Sequence, residues 1–250
     1  MSVWKGDVPS APHAEKVRRF LALLAWQPNE FVADDFIIDR IWEDIPPVRP
    51  KDTLYTCASR LRQALGCGAG PELPDLISRR RGGYVFHVDP EAIDVHRFRR
   101  LVRSARDADR TADWSGAVDL FDSALALWRG APMSDLGSSW AGRVRVTLER
   151  ERLSAQIECA QLALSLGRHM ETVPLLYQLA EDHPLDEKIA ELLIQALYLS
   201  GRQAESLARF ASIRNQLVLE LGNEPGMALR HLHSQILRRD PTLTAATLRV

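Results

Sequence analysis

The sequence predicts a mostly α-helical protein in two parts: a small N-terminal domain of three helices and a β-hairpin, then an all-α domain of stacked helix pairs. Three observations carry this. Short, mixed elements broken by Pro and Gly run to about residue 90, and helical periodicity follows from Val95 onward. A Gly-Arg pair at Gly167-Arg168 recurs 34 positions later at Gly201-Arg202, the period of tetratricopeptide-type helix pairs. The 250 residues suit one or two domains, and 46% apolar content excludes a disordered chain. No apolar run approaches the roughly 18 residues that a spanning helix needs, and the N-terminus has no apolar signal core. Three cysteines, Cys57, Cys67 and Cys159, are an odd number and point to reduced thiols and a cytoplasmic setting.

Each element has its own local reason. Val17, Phe20, Leu21, Leu23, Leu24 and Ala25 give a first helix from Ala14 to Trp26 a broad apolar face, and Gln27-Pro28-Asn29 breaks it. Ala33-Asp34 caps a second helix whose core side is Phe36, Ile37, Ile38, Ile41 and Trp42. Pro46, Pro47 and Pro50 make a stiff, non-helical loop, after which Asp52 caps a third helix that Gly66 stops near Leu65. Gly68 to Pro74 reads as loop. Leu76-Ile77-Ser78 and Tyr84 to Val88 read as strands joined through Arg79-Arg80-Arg81-Gly82-Gly83. Helices are expected near 95–109, 113–128, 139–166, 168–182, 185–200, 202–221 and 225–238, and 241–250 reads as a tail. The resulting domains are 1–90, 91–240 and the tail 241–250.

The charge is nearly balanced overall, at −1, but unevenly placed. Residues 49–81 carry seven basic and three acidic residues, a net of +4, while 104–250 carry 16 basic and 19 acidic, a net of −3. A local basic segment is the footprint of a nucleic-acid-binding module as well as of an ordinary arginine-rich surface. The third helix favours the former. Projected at about 100° per residue, Leu54, Ala58, Leu61 and Leu65 share one side and Thr56, Ser59, Arg60 and Gln63 the other. That outer face lacks Glu and Lys and is rich in groups that hydrogen-bond to base edges, so these four are the expected base readers. Lys51, Thr53 and Tyr55 at the helix start, Arg62 on its flank, and Arg79, Arg80 and Arg81 in the hairpin are the expected ligands of the DNA backbone. Three helices and an arginine-tipped hairpin match a winged helix-turn-helix, whose third helix enters the major groove.

Enzymatic motifs are missing: there is no phosphate-binding GxxxxGK[ST], GxSxG, HExxH or CxxC pattern, so no catalysis, metal or cofactor is expected. His231 and His233 point about 200° apart on a helix and do not chelate. Trp42, Trp114, Trp128 and Trp140 sit at helical apolar positions and read as core, and Cys57 as a small buried apolar group.

The stretch RFLALLAWQPNEFVADDFIIDRIWEDIPPVRPKDTLYTCASRLRQALG resembles the OmpR-type winged helix of the SARP (antibiotic regulatory protein) activators of actinobacteria. The IW-(x)3-PP step, the TLYTCASRLRQAL helix and the RRRGGYVF wing carry the likeness. DPEAIDVHRFRRL resembles the entry to a bacterial transcriptional activation domain (BTAD), and FDSALALWRGAPMSDL with 183–241 its tetratricopeptide-like body. The resemblance covers about Lys16 to Pro241. It implies a pathway-specific activator of a biosynthetic, secondary-metabolite gene cluster that binds direct repeats in promoter DNA, associates with itself there and recruits RNA polymerase. In the resemblance, Arg80 matches the arginine before the wing Gly-Tyr. The start departs from the pattern: only about fifteen residues precede the first helix, so at most one strand near Ser2–Lys5 is expected, in a sheet that is reduced or a start that is truncated. No receiver or ATPase sequence is present. The rival from the residues alone is a repeat scaffold that binds proteins and not DNA, which the −3 balance of 104–250 suits. No membrane partner is expected.

Overall fold

The computed structural model describes residues 4–5, 8–9, 12–66 and 76–243. The expected loop Gly68–Pro74, Ser2 and the tail from residue 244 fall outside them. The chain forms two compact units that interleave along the sequence: residues 1–100 with 126–152, and 101–125 with 153–250.

In the first unit, β1 (Trp4–Lys5) and β2 (Val8–Pro9) pair antiparallel, with Lys5 opposite Val8. One strand at most is expected there; two-residue strands are too short to leave an alternating pattern. Then follow α1 (Glu15–Trp26), β3 (Phe31–Ala33), α2 (Asp34–Trp42), α3 (Pro50–Leu65), β4 (Ile77–Arg80) and β5 (Gly83–Phe86). β3, β5 and β4 form an antiparallel sheet in that order, with Ala33 opposite Gly83 and Arg79 opposite Tyr84. β3 is an unexpected strand. The Gln27–Asn29 turn that ends α1 also launches it. Asn29, at φ +65°, receives the Val88 N–H on its side-chain oxygen at 3.2 Å and donates to the Val88 carbonyl at 2.8 Å.

α3 begins two residues earlier than its expected cap. Pro50 is its first residue, where a fixed φ and a missing N–H are harmless. Arg49 precedes it without a side-chain cap, and Asp52 lies inside the first turn. Gly66 stops the helix in the left-handed conformation, as expected.

The core of this unit explains the breadth of α1's apolar face. Phe20, Leu21 and Leu24 of α1, Ile37 and Ile41 of α2, Leu54, Ala58 and Leu61 of α3 and Tyr84 of β5 form one buried cluster. Leu136, Trp140, Ala141, Val144 and Leu148 belong to the same cluster. Trp26 meets Trp140 edge-on, ring centres 6.3 Å apart. Polar bonds line up beside this packing: the Glu15 carboxylate accepts from the Gly137 N–H at 3.3 Å, Glu43 from the Ser139 N–H at 2.6 Å, and Arg18 pairs with Asp135 at 2.9 Å. Both glutamates are held below the ordinary carboxylate range, Glu15 chiefly by Arg19 and Glu43 by the Ser139 N–H.

Helices α4 (Asp94–Arg110), α5 (Trp114–Leu125), α6 (Ser139–Ser165), α7 (His169–Asp182), α8 (Glu187–Leu199), α9 (Gln203–Leu221) and α10 (Met227–Arg238) follow within two or three residues of expectation. The second unit is built on α8. Its Leu192, Leu193, Ala196 and Leu197 pack with Leu164, Leu176 and Leu179 of α6 and α7. Its Ala190 and Ile194 pack with Phe210, Ile213, Leu229 and Ile236 of α9 and α10. Gly167 and Gly201, the residues that mark the 34-residue repeat, adopt φ +80° and +78° in the turns before α7 and α9. Leu243 is buried in the α8–α10 cluster, so the packed chain extends past the expected start of the tail.

Candidate nucleic-acid interface

α3 is oriented by its core side. Leu54, Cys57, Ala58 and Leu61 are buried, and burial pushes the Cys57 thiol up, consistent with an inert apolar group. On the opposite side Thr56, Ser59, Arg60 and Gln63 are all exposed and form one outward face. The Thr56 hydroxyl donates to the Asp52 carbonyl at 3.1 Å, which leaves its oxygen lone pairs and methyl group outward. At the helix start Lys51 is exposed, Thr53 is half-buried with its hydroxyl donating to the Arg49 carbonyl at 3.0 Å, and Tyr55 is 51% exposed.

The hairpin's strands lie closer to its tip than expected, its turn is shorter, and β5 ends at Phe86, not Val88. Arg79 and Arg80, read from the sequence as turn residues, lie in β4, opposite Tyr84 and Gly83. Only Arg81 and Gly82 are left to make the turn, Gly82 at φ +83°. Gly83 serves a different need. A Cβ there would lie 2.4 Å from the Val32 carbonyl oxygen and 2.5 Å from the Phe31 ring, so only glycine lets β3 approach. Ser78 and Arg80 share one side of β4, where Ser78 Oγ and His87 Nε2 lie 2.8 Å apart. Arg80 and Arg81 are exposed.

Two of the predicted backbone ligands are engaged inside the protein. Arg62 donates from Nε and Nη2 to the Ile77 carbonyl at 3.0 and 2.8 Å, tying the end of α3 to the start of β4. Arg79 makes a forked pair with Asp34 at 2.5 and 2.7 Å and donates to the Gly83 carbonyl at 3.0 Å. Its guanidinium lies 4.9 Å from the centre of the Tyr55 ring and 4.6 Å from that of Tyr84. The Asp34 carboxylate raises the already high pKa of Arg79. Thr56, Ser59, Arg60, Gln63, Lys51, Arg80 and Arg81 are thus the predicted residues that end in solvent, with Tyr55 half in contact with Arg79. Asp34 is a residue that sequence reasoning took for a cap. Only its acidity at the head of an apolar helix could have hinted at a buried partner, and Arg79 lies 45 positions away.

Elsewhere the chemistry is quiet. No group of three or more metal-ligating side chains occurs among the described residues. His233 stacks on Phe210 at 3.8 Å, whereas His231 is exposed. The Cys159 thiol is pushed up to about 12, by burial first and by Asp122 second. Trp140 is buried, and Trp42 and Trp128 pack partly buried against the same core. No described helix is long and apolar enough to cross a membrane.

Residues 93–237 match the family described as bacterial transcriptional activator domain. The chain is 37% identical over 232 residues to the transcriptional regulator RedD of Streptomyces coelicolor, covering 92% of this chain and 66% of that protein. It is 34% identical over 235 residues to the regulatory protein DnrI of Streptomyces peucetius, covering 92% of this chain and 86% of that one. The regulatory protein AfsR of Streptomyces griseus is 34% identical over 96% of this chain, which spans 24% of its length. Among solved structures, Mycobacterium tuberculosis EmbR in complex with a low-affinity phosphopeptide superimposes with a TM-score of 0.88 at 29% identity, over 96% of this chain and 63% of that one.

Proposed function

The chain belongs to the SARP family of transcriptional regulators, and from that premise we propose that it binds promoter DNA sequence-specifically and activates a biosynthetic gene cluster by recruiting RNA polymerase. In this reading α3 enters the major groove, Thr56, Ser59, Arg60 and Gln63 read base edges, and Arg60 grips a guanine through O6 and N7. Lys51 and the exposed arginines Arg80 and Arg81 hold phosphates, while Tyr55 flanks the groove. Two copies occupy direct repeats about one helical turn apart, ~10–10.5 bp between centres, because three or four side chains read too few base pairs alone. The protein works in the cytoplasm, at the nucleoid, as an activator and not as an enzyme.

The observation that supports this best is the outward face of α3. Four exposed residues, none of them acidic, stand opposite a buried side made of Leu54, Cys57, Ala58 and Leu61. Titration of the full chain with duplexes from its gene neighbourhood, followed by fluorescence anisotropy, tests the reading. Arg60→Ala is expected to cost about 1–3 kcal/mol on the cognate site and little on scrambled DNA. Replacing Arg80 and Arg81 by Ala is expected to weaken both alike and to shallow the slope of log K against log salt by about 0.9 per lost phosphate contact. A chain that shifts no duplex and binds only proteins would make it a repeat scaffold instead.

A further inference from the structure

α3 and the wing touch a duplex at different places, so the distance and angle between them matter as much as the residues they carry. Two side chains hold that geometry in this fold. At one end of α3, Arg62 reaches the Ile77 carbonyl at the root of β4. Two turns earlier Tyr55 lies against the Arg79 guanidinium, near the tip of β4. Arg79 is therefore the piece that joins the wing tip to the exposed side of α3, and its own direction is set from a third element. Asp34, the first residue of α2, is 4% exposed. Its carboxylate takes both arms of the Arg79 fork, and its backbone N–H donates to the Gly82 carbonyl at 2.8 Å. A carboxylate at the first turn of a helix also meets the positive end of the helix dipole. A fork of two parallel N–H···O bonds fixes a plane as well as a distance, which a lysine could not do.

We infer that Asp34 and Arg79 are a positioning pair for DNA binding: they set the pose of the wing against α3, and so decide whether Arg80 and Arg81 meet phosphate while α3 is in its groove. This rests on the DNA-binding reading above. Arg79 itself does not contact the duplex; Arg80, its neighbour on the other side of the strand, does.

The test separates this role from the two alternatives by sign. Asp34→Asn removes the carboxylate and leaves Arg79 charged. If Arg79 were a phosphate ligand restrained by Asp34, freeing it would tighten binding and steepen the salt slope. If the pair only stabilised the fold, melting would fall while the folded protein bound DNA as before. As a positioning pair, Asp34→Asn is expected to weaken binding to cognate and random duplex alike by about tenfold, with a salt slope shallower by about one to two. Hydroxyl-radical footprinting is expected to lose the protection under the wing and keep that under α3. Unchanged or tighter binding, or an intact wing footprint, overturns the inference. If Asp34→Asn does not fold, Arg79→Lys carries the same test, since it keeps the charge and loses the fork. Positioning then predicts the lost wing footprint, and a phosphate ligand predicts an unchanged salt slope. Failure of the underlying reading looks different: the unmodified chain would then bind no duplex at all.

Discussion

The first unit adds to its apolar core a set of charged side chains that reach backbone carbonyls and a buried carboxylate far along the sequence, and the second relies chiefly on apolar layers between neighbouring helices, with exposed pairs such as Arg106 and Glu158 at its surface. In the first, Arg19 and Lys16 both donate to the Ile41 carbonyl, Arg62 to Ile77, and Arg79 to Asp34. Arg145 closes the 126–152 segment on the carbonyls of Pro132 and Met133. In the second, α8 is sandwiched by apolar side chains of the helices before and after it, and the turns before α7 and α9 are made by glycines at matching positions. A unit of the first kind depends on single atoms being in place and holds a precise surface. One of the second kind depends on layers, and nearest-neighbour packing lets it tolerate local change.

The largest effect should come from cutting the first unit where the sequence runs out of strand and hairpin. A chain ending at Arg103 loses Leu136, Trp140, Ala141, Val144 and Leu148 from its core and leaves Trp26 without Trp140. It is expected to melt without a cooperative transition and to bind a hydrophobic dye, whereas a chain ending at Arg152 keeps the core and melts cooperatively. Equal melting of the two by circular dichroism would erase the contrast between the units. Next comes a layer in the second unit: Leu193, fully buried on α8, replaced by alanine is expected to cost about 2–5 kcal/mol in urea denaturation, with DNA affinity of the folded protein unchanged. A fall in DNA affinity would show that the layers serve the surface too. The smallest effect sharpens the repeat. Gly201→Ala forces a side chain into φ +78° with no neighbour in the way, so the cost is backbone strain alone, about 1 kcal/mol. For a chain of this length that lowers melting by about 2–4 °C, measurable by calorimetry.

The same contrast explains what the sequence could disclose. The helices of the second unit were legible to within two or three residues because a 3.6-residue period and a 34-residue repeat are local signals, and Gly167 and Gly201 mark turns by their own chemistry. α3's outward face was legible for the same reason: which side Thr56, Ser59, Arg60 and Gln63 occupy follows from their spacing. What was not legible depends on residues far apart. Phe31-Val32-Ala33 is too short to alternate and becomes a strand only because β5 is beside it. Arg62 and Arg79 look from the sequence like Arg60 and Arg80, and only the folded chain shows that Ile77 and Asp34 claim them. Nothing in 126–152 announces that its apolar residues complete the core around α1.

Arg79 and Arg80 are chemically identical neighbours that face opposite ways, and what distinguishes them is parity. Successive residues of a strand face opposite sides, so Arg79 joins Ile77 on the side toward Asp34 and Arg80 joins Ser78 on the other. Adding or removing one residue between Ile77 and the turn would exchange the two assignments without altering composition or charge. An arginine-rich wing therefore behaves like a message whose meaning lies in the odd or even place of each letter. Counting its arginines says little, while counting back from the glycine pair says which one turns to Asp34 and which to solvent.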